Sequence, residues 1–305
     1  MKIVVTGGTG FLGAALCRAL VGDGHQVTVL TRREPEDHAT AKDGLTWFGW
    51  APEHDRGAWP KQIDGADAVV NLAGESIAAR RWTDTQKARI RSSRIAVTQS
   101  VARAIGSAAQ RPAVFISGSA VGYYGPRGDE PITEGTPAGD DFLAAVCRDW
   151  EDAARRAETF GTRVALVRTG LVLERDGGAL ERMLLPFKLF GGGPLGSGRQ
   201  YWPWIHRTDW IGLVRWLLAT PAGSGAFNAT APNPVTNREF SAALGRALNR
   251  PSWLPAPAFA LRLAMGEMAD ALLLGGQRAV PERAQQQGYR FQFEHVDHAL
   301  QTILK

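Results

Sequence analysis

The residues with the clearest chemical meaning stand at the front of the chain. Residues 3–13 read Ile-Val-Val-Thr-Gly-Gly-Thr-Gly-Phe-Leu-Gly, a β-branched run that breaks at Gly7, Gly10 and Gly13 and leads into a helical pattern over 14–21. A buried strand followed by this turn fits a dinucleotide site. Gly7 permits the tight turn, the absent side chain at Gly10 lets the backbone approach a pyrophosphate, and Gly13 lets helix and strand pack closely. Backbone N–H groups of Thr9, Phe11 and Leu12 at the helix start then face the phosphates, where the macrodipole favours negative charge.

The next strand, predicted over 26–31, ends at Arg32-Arg33, with no acid before Glu34. In this fold that position meets the adenosine ribose. An acid there accepts from a 2′-hydroxyl, whereas arginine accommodates a 2′-phosphate, which a guanidinium can hold with two parallel bonds. The expected cofactor is therefore NADP(H). A third strand, over 66–72, closes on Leu72-Ala73-Gly74, placing Glu75 at the nicotinamide side as a candidate proton-transfer acid. Beyond it, Arg81, Lys87, Arg89, Arg91 and Arg94 make a basic stripe, with 87, 91 and 94 on one face of a helix expected over 83–107. Such a face suits an anionic small-molecule substrate.

The elements that must position these residues alternate. Strands are predicted over 113–116 and 163–167, with a helix between them over 150–159, so the fold class is α/β: a Rossmann doubly wound parallel sheet. This layer is expected over 1–173, with a return strand near 225–230. Beyond Leu173 the glycine-rich stretch around Gly191–Gly198 and the aromatic run at 201–204 mark a smaller C-terminal substrate lobe over 174–305, mainly helical from 237 to 269.

At 305 residues and 44% hydrophobic, the chain can bury a large core. Cys17 and Cys147 lie far apart without CxxC spacing, and His295 and His298 lack acidic or Cys companions, so no metal site is expected. No apolar run reaches the roughly 18 residues a membrane span requires. No membrane partner is therefore expected, and a cytoplasmic monomer or homodimer fits. The net charge of +5 suits a phosphate-bearing ligand, and no nucleic-acid motif accompanies it.

Taken with the turn at Thr6–Gly13, four further segments carry a resemblance: Asn71-Leu72-Ala73-Gly74, Ser117-Gly118-Ser119, Arg168, and residues 204–209 (Trp-Ile-His-Arg-Thr-Asp). Together they resemble the extended short-chain dehydrogenase/reductases, across most of the chain. Ser119–Gly125, Arg81-Trp82 and Ser93-Arg94 resemble more narrowly an atypical nucleoside-diphosphate-sugar epimerase-like branch with a helical C-terminal extension, matched here by about 249–305. The resemblance implies cofactor contacts from Leu72, Ala73, Gly74, Ser117 and Arg168, a catalytic serine at Ser119, and a Tyr-Gly pair at Tyr124-Gly125 whose tyrosine is a second catalytic candidate. It further implies substrate contacts from Arg81, Trp82, Arg94 and His206.

One part of the family pattern is missing. Its Tyr-x-x-x-Lys pair, in which lysine lowers the tyrosine pKa for proton exchange, aligns with Leu143 and Cys147, and its relay asparagine aligns with Arg94. Two readings follow: an NADP(H)-dependent epimerase- or reductase-type enzyme with a non-standard proton donor, or a catalytically silent NADPH-sensing or regulatory binding protein.

Overall fold

The computed structural model describes residues 1–36, 38–52 and 57–305. β1 (Lys2–Thr6) is buried from Ile3 onward and turns at Gly7 into α1 (Phe11–Gly22), whose Leu16, Cys17 and Leu20 pack back against the sheet. β2 (Gln26–Glu36) runs parallel to β1 and extends five residues past the predicted end at 31. The excess length has partners that the sequence did not announce: β3 (Ala39–Lys42) and β4 (Leu45–Gly49) form a hairpin through Asp43 and Gly44, both at positive φ, and β4 pairs with β2.

After β5 (Ala68–Asn71), α2 (Asp84–Ser107) starts where the Thr83 side chain accepts from the Gln86 N–H, a cap that satisfies one orphan donor. β6 (Val114–Ala120) and the two-residue β7 (Pro131–Ile132) follow. α3 (Phe142–Arg155) begins eight residues before the predicted 150, because Asp141 caps it by accepting from the Ala144 N–H at 2.7 Å. β8 (Arg163–Thr169), β9 (Leu171–Leu173), α4 (Gly178–Lys188), β10 (Tyr201–Trp202), β11 (Trp204–His206), α5 (Arg207–Ala219) and β12 (Gly225–Ala229) come next. The chain continues through β13 (Val235–Thr236), α6 (Asn237–Leu248), α7 (Ala258–Met265), α8 (Glu267–Ala269), β14 (Arg278–Ala279), α9 (Glu282–Gln286) and α10 (Val296–Leu304).

Eight strands make one sheet in the order β12-β8-β6-β5-β1-β2-β4-β3, parallel except for the β3–β4 pair. Strand order reverses beside β1, which opens a crevice at the carboxyl ends of β1 and β5, where ligands bind in sheets of this kind. One face of the sheet carries α1 and α5 through Leu16, Leu20, Trp210, Leu213 and Leu217. The other carries α2 and α3 through Val101, Ile105 and Ala154. A third core, built from Leu180, Leu184, Trp204, Phe240, Leu244 and Leu300, holds α4, α6 and α10 together as the second lobe. The chain beyond Leu173 thus divides between both layers, since α5 and β12 complete the sheet. The helical pattern expected over 237–269 is broken at 249–257. There Asn249 ends α6 in the left-handed region, and Pro251, Pro255 and Pro257 have no N–H to continue a helix. Among the described residues no helix is long and apolar enough to cross a membrane.

Candidate active site

The glycine turn is built for close approach. A Cβ on Gly13 would stand 2.2 Å from the Gly7 carbonyl oxygen, and one on Gly7, at φ +72, would stand 2.6 Å from the Leu72 carbonyl. These two positions pack backbone on backbone. At Gly10 the only atom within reach of a Cβ is the Gly7 oxygen at 3.3 Å, and the residue is exposed: the start of α1 is left open to a ligand. The facing loop is pinned by a chain of bonds, Thr6 Oγ1 donating to Asn71 Oδ1 (2.6 Å) and Asn71 Nδ2 to Thr98 Oγ1 (2.7 Å), while the Leu72 N–H donates to the Thr6 carbonyl. Thr9 is exposed and Phe11 and Leu12 are half-buried at this mouth.

A contributor from the second lobe escaped the sequence reading. A Cβ on Gly177 would stand 2.6 Å from the Phe11 ring, so the segment before α4 lies directly on the helix start. Arg207 fixes it, pairing with Glu174 (3.0 Å) and Asp176 (2.6 Å) while its guanidinium sits 5.3 Å from the Phe11 centroid. Arg32 and Arg33 are exposed along the carboxyl-terminal half of β2, and Glu34, the nearest acid in sequence, accepts from Thr40 Oγ1 at 3.2 Å.

At the end of β5, Glu75 is half-buried and held from three directions. Its N–H donates to Ser93 Oγ (3.1 Å), its Oε1 accepts from Gln86 Nε2 (2.9 Å), and its carbonyl accepts from Arg94 Nη2 (2.9 Å). Arg94 also donates to the Ile90 carbonyl and lies against Gly74, where a Cβ would be 3.2 Å from Cζ. Burial lowers the Arg94 pKa, with Cys147 and Glu75 opposing. A cation from α2 thus stands beside the aligned lysine position. Cys147 itself is buried, its thiol pushed up to about 12 by desolvation, and Leu143 joins an apolar cluster with Trp82, Phe142 and Met268. Neither supplies a proton.

The rest of the basic stripe does not converge on one anion. Lys87 pairs with Glu267 and Arg91 with Asp149, while Arg81 is exposed beside Gly266. Trp82 is buried, its indole N–H donating to the Ile77 carbonyl at 2.8 Å and its ring edge-on to Phe142.

Ser119, Tyr124 and Arg168 come together, but inside a buried network. Arg168 grips Glu151 with Nε and Nη2 (2.8 and 2.9 Å) and donates from Nη1 to Tyr124 Oη (2.9 Å) and to the Glu134 carbonyl. Burial works to lower the Arg168 pKa, and the bonds and charge of Glu151 outweigh it, leaving the pKa raised. Tyr124 carries no accessible surface, donates to Asn228 Oδ1 (2.7 Å) and is pushed up to about 12 by desolvation. Every polar group of Arg168 and Tyr124 therefore faces protein. Ser119 Oγ donates to Glu151 Oε1 at 2.7 Å. Ser117 is buried, opposite Asn71 in the sheet, and its Oγ donates to the Gly118 carbonyl. His206 caps α5, Nδ1 accepting from the Thr208 N–H at 3.0 Å, and stacks 3.8 Å from Phe293; burial lowers its pKa.

A family model described as the NAD dependent epimerase/dehydratase family matches residues 3–229, and one described as a domain of unknown function, DUF1731, matches 256–303. The chain is 43% identical over 309 residues to the chloroplastic epimerase family protein SDR39U1 homolog of Arabidopsis thaliana, covering 100% of this chain and 87% of that protein. The crystal structure of human epimerase family protein SDR39U1 (isoform 2) with NADPH is similar at a TM-score of 0.87 and 36% identity, covering 100% of this chain and 99% of that one. The nucleoside-diphosphate sugar epimerase from Corynebacterium glutamicum follows at 0.78 and 35%, this chain spanning 58% of its length. With most of its length inside the matched region and a relative of this identity covering it end to end, the chain belongs to the NAD dependent epimerase/dehydratase family.

Proposed function

We propose that this protein binds NADP(H) and is an oxidoreductase or epimerase-type enzyme in which Glu75 takes the proton-transfer role. The observation that carries the cofactor reading is the open backbone at Gly10 with Arg32 and Arg33 exposed in the carboxyl-terminal half of the adjacent strand, the side on which a 2′-phosphate is recognised. The likeness to human SDR39U1, solved with NADPH, supports it. Gly7, Thr9, Gly10, Phe11, Leu12 and Gly13 would cradle the pyrophosphate, and Leu72, Ala73 and Gly74 would line its far side. When bound, NADP(H) supplies or accepts a hydride.

The chain's own part is to hold the substrate and move a proton. A carboxylate only accepts hydrogen bonds, so the Ser119 hydrogen is committed to Glu151 and the oxygen offers lone pairs. Ser119 therefore suits a substrate hydroxyl better than a substrate carbonyl. Glu75, oriented by Gln86 and with its other oxygen left over, exchanges the proton of a second, reacting hydroxyl, because the hydrogen of the hydroxyl that meets Ser119 points at the serine oxygen. Arg94 supplies positive charge beside it. Tyr124 and Arg168 support this site from behind, as does His206 through α5, and none of the three meets ligand. A nucleotide-sugar substrate fits the company of the Corynebacterium relative. The two buried free thiols suit a reducing compartment such as the cytoplasm.

A second reading, a silent NADPH sensor, is favoured by the loss of both dyad residues to Leu143 and Cys147. Following NADPH absorbance over a panel of nucleotide sugars and small carbonyl and hydroxyl compounds separates the two. The enzyme reading requires turnover that Glu75→Gln lowers. A panel without turnover, together with NADPH-dependent change in partner binding, would establish the sensor.

A further inference from the structure

We propose that the face formed by the end of α4, residues 253–256 and α7 seats this protein on an anionic lipid surface. Apart from Met1 and Phe160, every large apolar side chain exposed among the described residues lies here: Leu185, Leu189, Phe190, Trp253, Leu254, Phe259 and Leu263. Trp253 is 69% exposed, Phe259 73% and Leu263 79%. The segments are joined by backbone, with the Leu254 N–H donating to the Gly192 carbonyl (3.2 Å) and the Ala256 N–H to that of Pro194 (2.9 Å). These bonds set residues 253–256 beside the segment that follows α4, and a Cβ on Gly196 would stand 3.8 Å from Ala258 at the start of α7.

α7 is the anomaly that drives the inference. Its sequence, Ala-Phe-Ala-Leu-Arg-Leu-Ala-Met, has one polar residue, yet only Ala258, Leu261 and Met265 are half-buried, and Phe259, Ala260, Leu263 and Ala264 are exposed. A surface helix in water ordinarily presents a polar face outward and buries the apolar one. A helix whose outward side is nearly as apolar as its inward one, beside an apolar patch, marks a contact surface.

Charge selects the occupant. Residues 182–199 and 246–266, which run through and beside this face, contain Arg182, Lys188, Arg199, Arg246, Arg250 and Arg262, while the acids stand at its edge, Glu181 and Glu267 just outside these stretches and Asp270 on Arg262. Arg246 and Arg262 pair with Asp297 and Asp270. The other four have no carboxylate partner among the described residues. A twofold dimer through this face would set the same basic rim against itself, because such an interface uses one patch on both subunits. An anionic bilayer instead complements it: aromatic side chains settle at headgroup depth, and each nearby Lys or Arg is attracted by the surface potential. The Arg250 guanidinium lies 4.7 Å from the Phe190 centroid, so cation and apolar anchor arrive together. The expectation of no membrane partner rested on the lack of a spanning segment; lying on a bilayer needs none.

The test is sedimentation of the full chain with phosphatidylcholine vesicles and with vesicles part-substituted by phosphatidylglycerol. Binding is expected to the anionic vesicles alone and to weaken with salt. Phe259→Ser with Leu263→Ser should abolish it, and Lys188→Glu with Arg199→Glu should lower it about tenfold or more, the scale of surface charges near anionic headgroups. Both pairs are exposed, so melting temperature and NADPH affinity should stay unchanged. On the unaltered chain, anionic vesicles should shift tryptophan emission to the blue, and Trp253→Phe should diminish that shift. No sedimentation with either composition would overturn the proposal, as would equal binding to both. A dimer that the Phe259/Leu263 variant dissociates, without vesicle binding, would assign the face to a second copy instead.

Discussion

Ser119 and Glu151, 32 positions apart, share a 2.7 Å hydrogen bond in which the serine donates, and Glu151 is in turn clamped by two bonds from Arg168. This fixes the direction of every proton around Ser119 and ties α3 to β6 and β8. Arg168→Ala would leave the buried Glu151 charge without its two-bond partner, with only the partly exposed Arg155 3.9 Å away. Such breaks cost about 3–5 kcal/mol. Chemical denaturation should show a loss of that size, and a loss below about 1 kcal/mol would mean that water reaches the site.

Ser119→Ala should lower turnover by about one to two orders of magnitude while NADPH affinity stays unchanged, taking the lower end of general acid–base effects as the scale. Glu75→Gln should do the same or more. Single-turnover absorbance with the substrate that the panel identifies, beside NADPH titration by fluorescence, separates a chemical loss from a binding loss.

Gly10→Val should abolish NADPH binding and leave the melting temperature of the free protein nearly unchanged, because only the Gly7 oxygen at 3.3 Å lies near the new Cβ. Gly13→Val should damage both, since its Cβ falls 2.2 Å from the Gly7 oxygen. Calorimetry with and without NADPH distinguishes them.

Arg32→Glu with Arg33→Glu should weaken NADPH by about tenfold to a hundredfold while sparing NADH, on the scale of about 1.5–3 kcal/mol for a hydrogen bond to a charged group. Paired titrations measure the ratio. Equal losses for both cofactors would remove the 2′-phosphate from these two arginines.

His206 gives stability a pH dependence of known sign. Burial holds its folded-state pKa below the ordinary 6.5, so the unfolded chain binds the proton more readily. Its contribution is complete above 6.5 and is lost as pH falls through the interval down to the folded-state value. Urea unfolding from pH 7.5 down to 5 should show this decline, and His206→Asn, which retains a capping acceptor, should flatten it.

The strand, turn and helix at the front of the chain were legible because each depends on neighbours in sequence: β-branched residues, three glycines, then an apolar helical stripe. α2 could be read equally well, Thr83 and Asp84 marking its start. The β3–β4 hairpin could not, because Ala-Thr-Ala-Lys carries little strand signal and forms only where β2 offers an edge. At the site, Arg168 and Tyr124 show the limit of residue type. An arginine and a tyrosine near a cofactor strand suit ligand contact and buried support alike, and the bonds that bury them come from Glu151, Glu134 and Asn228, distant in sequence. Nothing local in sequence announces the bond between Glu151 and Ser119. The Gly177 segment on Phe11 likewise depends on Arg207 reaching back to Glu174 and Asp176.

β14 pairs with β7 through Arg278 and Ala279, Gln277 donates to the Val121 carbonyl at 2.6 Å, and the Val280 carbonyl accepts from Asn228. Tyr124 is anchored through Asn228, and Arg168 through Tyr124. During synthesis, then, the Rossmann strands can pair early, but the wall behind Ser119 has no backing until residues near 280 have left the ribosome. A nascent chain shorter than that can own a cofactor turn while the network behind Ser119 is still incomplete.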